Sequence, residues 1–213
     1  MGDNCGASAR NDAEYSDSDS ETDWMPFTGT TPDLPHSQNW DSGGFVSPFQ
    51  ATPVNKIRSI LQHLNLSEAD VVYDLGCGDG RVLVECSRIT SCSGVGIDLD
   101  DCLVQRARAN AERHNVHRRV TFSKADILDP QLNFSAATVL FLYLLPDALS
   151  MLLPSLEKLA NDNNSRLKKI VSVGWPLPGV RATISDTVEK FYIYEPDALR
   201  SHAITSALRA LHE

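Results

Sequence analysis

Eleven consecutive residues, Val71-Val-Tyr-Asp-Leu-Gly-Cys-Gly-Asp-Gly-Arg81, constrain this chain more than any other stretch. An apolar run predicts a buried strand over 71–77. It carries an acid, Asp74, and passes into a turn built on Gly76, Cys77, Gly78, Asp79 and Gly80. Glycines at alternate positions let the backbone turn tightly and approach a ligand without a side-chain clash. The helix expected over 81–89 then points its N–H groups into the crevice outside the strand ends. A nucleotide or nucleoside suits that crevice. The dinucleotide fingerprint G-x-G-x-x-G is not met, because its last glycine falls at Arg81. The pattern is G-x-G-x-G, with Asp74 and Asp79 beside it. Those acids would repel a pyrophosphate and favour a ligand with a cationic end. The plainer reading is a glycine turn beside two solvated acids, and it leaves the rest of the string unexplained.

Downstream, the periodicity alternates between strand and helix. Strands are expected over 94–99, 120–127, 137–145 and 169–175, and helices over 101–115 and 147–160. Upstream, Thr52-Pro53 reads as an N-cap followed by proline at the first helical position, with Val54, Ile57, Leu61 and Leu64 on one face. Residues 183–188 and 190–195 read as two more strands able to pair as a hairpin, and 197–213 as a last helix. This order predicts an α/β fold: a Rossmann-like, doubly wound, mainly parallel seven-stranded sheet with a terminal antiparallel strand pair. The chain divides into an acidic tail over 1–44, a domain over 45–195 and a C-terminal helix over 196–213.

Two more acids stand at the expected strand ends. Asp98 lies twenty residues beyond Gly78, where a carboxylate can accept hydrogen bonds from ribose hydroxyls. Leu99 follows it and is placed to cover one face of a base. Asp126 ends the third strand and can accept from an exocyclic amine, with Ile127 beside it. Asp100 and Asp101 read as caps of the next helix.

The 213 residues carry a net charge of −9, but that charge is unevenly spread. Nine of the 28 acids and one of the 19 bases lie in residues 1–44, leaving 19 acids against 18 bases. A nearly neutral domain lacks the basic face that long nucleic acids require. The one basic cluster, Arg113-His-Asn-Val-His-Arg-Arg119, reads as a solvated helix end. The tail is too poor in aliphatics to offset the entropy of ordering, although Trp24, Phe27 and Trp40 are unusual there and able to dock. Ser16, Ser18 and Ser20 precede acids, which suits an acid-directed kinase as a partner. The plainer role of the tail is solubility. Five cysteines without a CxxC pair suggest a reducing compartment, and His and Cys do not cluster, so no metal is expected. No segment approaches the roughly 20 apolar residues of a membrane span, and a cytoplasmic location is expected, with a nuclear one as the alternative.

The string from Asp74 to Arg81, with Asp98 and Asp126 after it, resembles the class I S-adenosylmethionine-dependent methyltransferases over roughly residues 45–195. Three further segments are similar to one group within them. They are Phe45-Val-Ser-Pro-Phe-Gln-Ala-Thr-Pro53, Phe141-Leu-Tyr-Leu-Leu-Pro146 and Val171-Ser-Val-Gly-Trp-Pro-Leu-Pro178. That group is the protein-lysine methyltransferases of the ATP synthase c-subunit and the adenine nucleotide translocase. The resemblance implies S-adenosylmethionine as cofactor and a protein with an accessible lysine as partner. It also implies that Pro48, Phe49 and Thr52 help close the cofactor pocket, and that Tyr143 and Pro146 face the acceptor, with Tyr143 as the catalytic candidate. Trp175 and Phe49 are further candidates for lining the acceptor channel. The acidic tail departs from the group's apolar leader. The (Asp/Asn)-Pro-Pro-aromatic motif of adenine- and glutamine-directed enzymes is absent at Tyr143–Pro146. A small-molecule or RNA methyltransferase, or a non-catalytic methyltransferase-like partner, is the alternative.

Overall fold

The computed structural model describes Trp24 and residues 49–210, with side chains to residue 208. Seven strands form one sheet: β1 (Val71–Leu75), β2 (Ser93–Asp98), β3 (Val120–Lys124), β4 (Val139–Leu142), β5 (Lys169–Val173), β6 (Ile184–Asp186) and β7 (Phe191–Tyr194). Five helices accompany them: α1 (Val54–Leu61), α2 (Arg81–Thr90), α3 (Asp101–Arg113), α4 (Pro146–Asn161) and α5 (Pro196–Ala210). The strand order is β3-β2-β1-β4-β5-β7-β6. Pairings from β3 to β5 are parallel, and β7 pairs antiparallel with both β5 and β6. The expected hairpin therefore forms, and its second strand lies inside the sheet.

Side-chain alternation splits the core between the two faces of the sheet. On one face Val72, Val139, Phe141, Val171 and Ile193 pack with α1, α2 and α3. On the other Leu75, Ile97, Leu140, Leu142 and Ile170 pack with α4 and α5. The C-terminal helix is held to α4: Arg200 Nε donates to the Ala160 carbonyl at 2.7 Å, and Leu199 is fully buried. No helix among the described residues is long and apolar enough to cross a membrane.

The differences from expectation fall at element ends. Helix α1 begins at Val54, with Pro53 in the capping position at ψ 140° and no side-chain cap, so Thr52 is not the N-cap. The helix also stops at Leu61, and Asn65 takes a left-handed φ of 51°, which asparagine tolerates better than most residues. Four parallel strands end two or three residues early, at Leu75, Lys124, Leu142 and Val173. The apolar residues beyond those points stay in line with the strand pattern but leave the sheet as loops. Those loops meet beside β1 and β4, where the strand order reverses. An open α/β sheet binds its ligands at that point.

Candidate active site

The glycine turn is stitched to its neighbour. Gly76 N and Cys77 N both donate to the Ile97 carbonyl of β2, at 2.8 and 3.0 Å. Gly78 N donates to Asp98 Oδ2 at 2.8 Å, while Asp98 Oδ1 accepts from Asp100 N at 2.9 Å. Asp98 thus stands at the end of β2 with its carboxylate oriented by backbone. Burial pushes its pKa up, against hydrogen bonds from Asp100 and Gly78 that lower it. Gly80 has a φ of 78°, and a Cβ there would lie 2.7 Å from Phe122 Cζ and 2.8 Å from Ala107 Cβ. At that position glycine alone satisfies both the backbone and the packing.

Asp74 is the electrostatic centre of the site. It is 3% exposed, and its pKa is pushed well up, first by burial and then by the charges of Asp98 and Asp79. No basic group among the described residues pairs with it. The Cys77 thiol in the same turn is pushed up in the same way, by burial and by Asp74, so it stays protonated and serves as packing.

Asp79 differs from the sequence expectation. Both its oxygens are engaged by Arg81: Nε lies 3.0 Å from Oδ1 and 3.1 Å from Oδ2, and Nη2 lies 2.8 Å from Oδ2. Asn110 Nδ2 of α3 donates to the Asp79 carbonyl at 2.9 Å. Its charge is therefore compensated within the protein, and its side chain braces the turn. Sequence reasoning missed the part Arg81 and Asn110 play in holding this turn. The one signal was Arg81 standing where the dinucleotide fingerprint puts glycine.

The remaining candidates follow the ends of β2 and β3 or precede α1. Half-buried Leu99 follows Asp98, and buried Ile127 follows β3. Asp126 is exposed and accepts from Leu128 N at 2.8 Å through Oδ1, which holds the carboxylate in a tight turn. Thr52 is buried, and its carbonyl faces Arg81 Nη1 at 3.5 Å. The Phe49 ring covers Gly78, with its Cδ2 2.6 Å from where a Cβ would stand. Phe49 thus lies over the glycine turn. Pro48 and the tail serines Ser16, Ser18 and Ser20 lie outside the described residues.

The model of the ANTKMT methyltransferase domain matches residues 74–184, from the acid of β1 to the start of β6. The chain belongs to this methyltransferase family. A protein-lysine N-methyltransferase from Saccharolobus islandicus is 35% identical over 112 residues, covering 52% of this chain and 68% of that protein. A lysine N-methyltransferase of the ATP synthase c-subunit, from Xenopus laevis, is 24% identical over 131 residues, and the match spans 62% of this chain and 54% of that protein. Among solved structures, an RNA methyltransferase from Salinibacter ruber in complex with S-adenosyl-L-homocysteine matches with a TM-score of 0.62 and 31% identity. That match covers 68% of this chain and 93% of that one.

Two aromatic rings stand beyond the neighbouring strands β4 and β5. Tyr143 follows β4 and Trp175 follows β5, with ring centroids 6.4 Å apart and planes inclined by 40°. Gly174, at a φ of 84°, makes room for the pair, since a Cβ there would sit 3.0 Å from Tyr143 Cε2. Ser172 Oγ donates to the Trp175 carbonyl at 2.7 Å and holds that loop. Burial raises the Tyr143 hydroxyl above its usual pKa of 10.0, so it is neutral at physiological pH. Pro146 opens α4 and is exposed. In the basic cluster, Arg119 donates to the Ser87 carbonyl at 3.1 Å, and nearby Arg108 donates to the Phe122 carbonyl at 2.7 Å. Both side chains remain exposed.

Proposed function

We propose that this methyltransferase takes S-adenosyl-L-methionine as donor and methylates a lysine side chain of a protein. The observation that carries the reading is the set of residues at the ends of the parallel strands, where an open α/β sheet binds its ligands. Asp74 and Asp98 present carboxylates at the ends of β1 and β2, and Tyr143 and Trp175 present aromatic faces at the ends of β4 and β5. The methionine end of the donor carries an ammonium and a sulfonium, which the unpaired Asp74 favours. Asp98, with Leu99, Asp126 and Ile127 beyond it, suits a ribose and an adenine.

Bound there, S-adenosyl-L-methionine supplies an electrophilic methyl group whose transfer to an amine moves positive charge from sulfur to nitrogen. The protein's own part is then to position and desolvate the acceptor. A free lysine has a pKa near 10.4, and a half-buried aromatic pair favours its neutral, nucleophilic form. The neutral Tyr143 hydroxyl can accept from that amine and orient its lone pair, and the aromatic faces can hold the cationic product. The lysine methyltransferases of Saccharolobus and Xenopus support a protein acceptor. The Salinibacter relative is called an RNA methyltransferase, but residues 45–213 carry 19 acids against 18 bases and lack the basic face that long nucleic acids require.

The test is calorimetric titration with S-adenosyl-L-methionine, followed by incubation with radiolabelled donor and cell lysate. Micromolar binding, with label in a nuclease-resistant protein band that is stable to hydroxylamine, is expected. Label in the nuclease-sensitive fraction would overturn the lysine acceptor and leave the donor site standing. Tyr143→Phe should lower turnover by about tenfold to a hundredfold without weakening donor binding, the range of a group that orients a reacting atom. Full turnover by that variant would remove Tyr143 from the reaction.

A further inference from the structure

The acidic segment ahead of the domain contributes one described residue to the fold, Trp24. Its side chain is 4% exposed and belongs to the core cluster shared by α1, α2 and α3. The ring lies 4.8 Å from that of His114, which ends α3, at an interplanar angle of 30°. The guanidinium carbon of Arg81 stands over the same ring, 5.3 Å from its centroid. Trp24 thus touches the start of α2 and the end of α3. Those two helices supply the groups that grip Asp79: Arg81 on its carboxylate and Asn110 on its carbonyl.

We propose that Trp24 is a positioning residue for the glycine turn, acting through Arg81 and Asp79; this rests on the reading of that turn as the donor site. The arginine is 9% exposed and its carboxylate partner 1%. A pair this dry holds only while both charges keep their partners, and an aromatic face over a desolvated cation is among the stronger contacts available to it. With the indole in place, Arg81 lies fixed against Asp79 and the turn keeps its shape. Without it, water reaches the guanidinium, the grip on Asp79 loosens, and the turn loses the shape that receives the donor. A single residue outside the matched domain, Trp24, therefore contributes to the affinity for the donor.

The experiment compares full-length wild type, Trp24→Phe and Trp24→Leu, each alone and with Asp79→Asn, by calorimetric titration with S-adenosyl-L-homocysteine. Both substitutions keep the site apolar, and only phenylalanine keeps an aromatic face. Trp24→Leu should bind about tenfold more weakly and Trp24→Phe within about threefold of wild type, the range of a buried cation–π contact. In the Asp79→Asn background, Trp24→Leu should change affinity by less than about twofold, since the grip it supports is already gone. Thermal unfolding of each variant separates loss of fold from loss of position. Wild-type affinity in Trp24→Leu, or a tenfold loss that persists with Asp79→Asn, would overturn the role. Failure of the wild type itself to bind would instead overturn the donor-site reading, and this inference with it.

Discussion

Asp74 sets the terms at the scale of single residues. Its pKa in the folded protein is raised well above 3.8 by burial and by two neighbouring carboxylates. A carboxyl raised in this way binds its proton more tightly folded than unfolded. It therefore favours folding at low pH, and that contribution is lost as pH rises from 3.8 through the folded value. Asp74→Asn removes the loss, so it should raise the unfolding temperature of the ligand-free protein at neutral pH by about 2–4 °C per kcal/mol recovered. The same variant should lose donor binding, trading function for stability. A cationic ligand holds Asp74 ionised, so binding should strengthen with rising pH through that raised pKa and release protons. Calorimetry in buffers of different ionisation enthalpy would detect the release, and a pH-independent affinity would count against Asp74 as the cation's partner. The places of Asp74 in β1 and Asp98 at the end of β2 were legible in the sequence, because each acid closes an apolar run. The brace on Asp79 was not, since it depends on where Arg81 turns, and α1 and α3 decide that from a distance. Trp24 stood out as an aromatic in a polar tail, yet nothing local named the arginine and histidine it would meet.

Elements were readable in their existence and order, and less so in their ends. The strands beyond Leu75, Lys124, Leu142 and Val173 keep the composition of a buried strand because the loops that replace them are themselves packed against the site. Hydropathy has no means of separating the two. The start of α1 misled for a related reason: Thr-Pro is a good cap, but here Thr52 is buried with its carbonyl towards Arg81. At the entry to β1, Asp70 accepts from Ser67 N at 3.0 Å and from Lys168 Nζ at 2.7 Å, which ties this strand to the approach to β5. Burial alone would raise the Asp70 pKa, but the bonds from Lys168 and Ser67 outweigh it and lower it to about 2. This contribution has the opposite sign to that of Asp74: it is present above pH 3.8 and is lost as pH falls towards 2. The shift corresponds to about 2 kcal/mol. Because the Lys168 side chain is 60% exposed, solvent screening reduces that to roughly 1 kcal/mol. Asp70→Asn should thus unfold about 2–4 °C earlier at about pH 7, with the gap closing near pH 2 in a pH series of melts. Gly80→Ala tests the turn itself: strain at positive φ together with the contact at Phe122 should cost about 1–3 kcal/mol by chemical denaturation.

For the molecule as a whole, the donor should act as a stabilising ligand. At about a hundredfold excess over its dissociation constant, S-adenosyl-L-homocysteine should add about 2.7 kcal/mol, a rise of roughly 5–10 °C in unfolding temperature for a domain of this size. Asp98→Ala should abolish the rise, and an equal rise in that variant would separate Asp98 from the ligand. The parallel sheet and its terminal pair were visible in the sequence because alternation of strand and helix leaves few topologies open. The place of β7 was not, because a hairpin looks the same from either side until its partner in the sheet is known. That placement bears on the order in which the chain can be built. Among the described residues β6 pairs only with β7, and β7 pairs with the outer edge of β5. While the ribosome is making residues 174–190, the outer edge of β5 is open and β6 has nothing to lie against. This end of the sheet therefore closes in one late step, after residue 194 emerges, and until then it offers a bare strand edge to any other nascent chain or chaperone within reach.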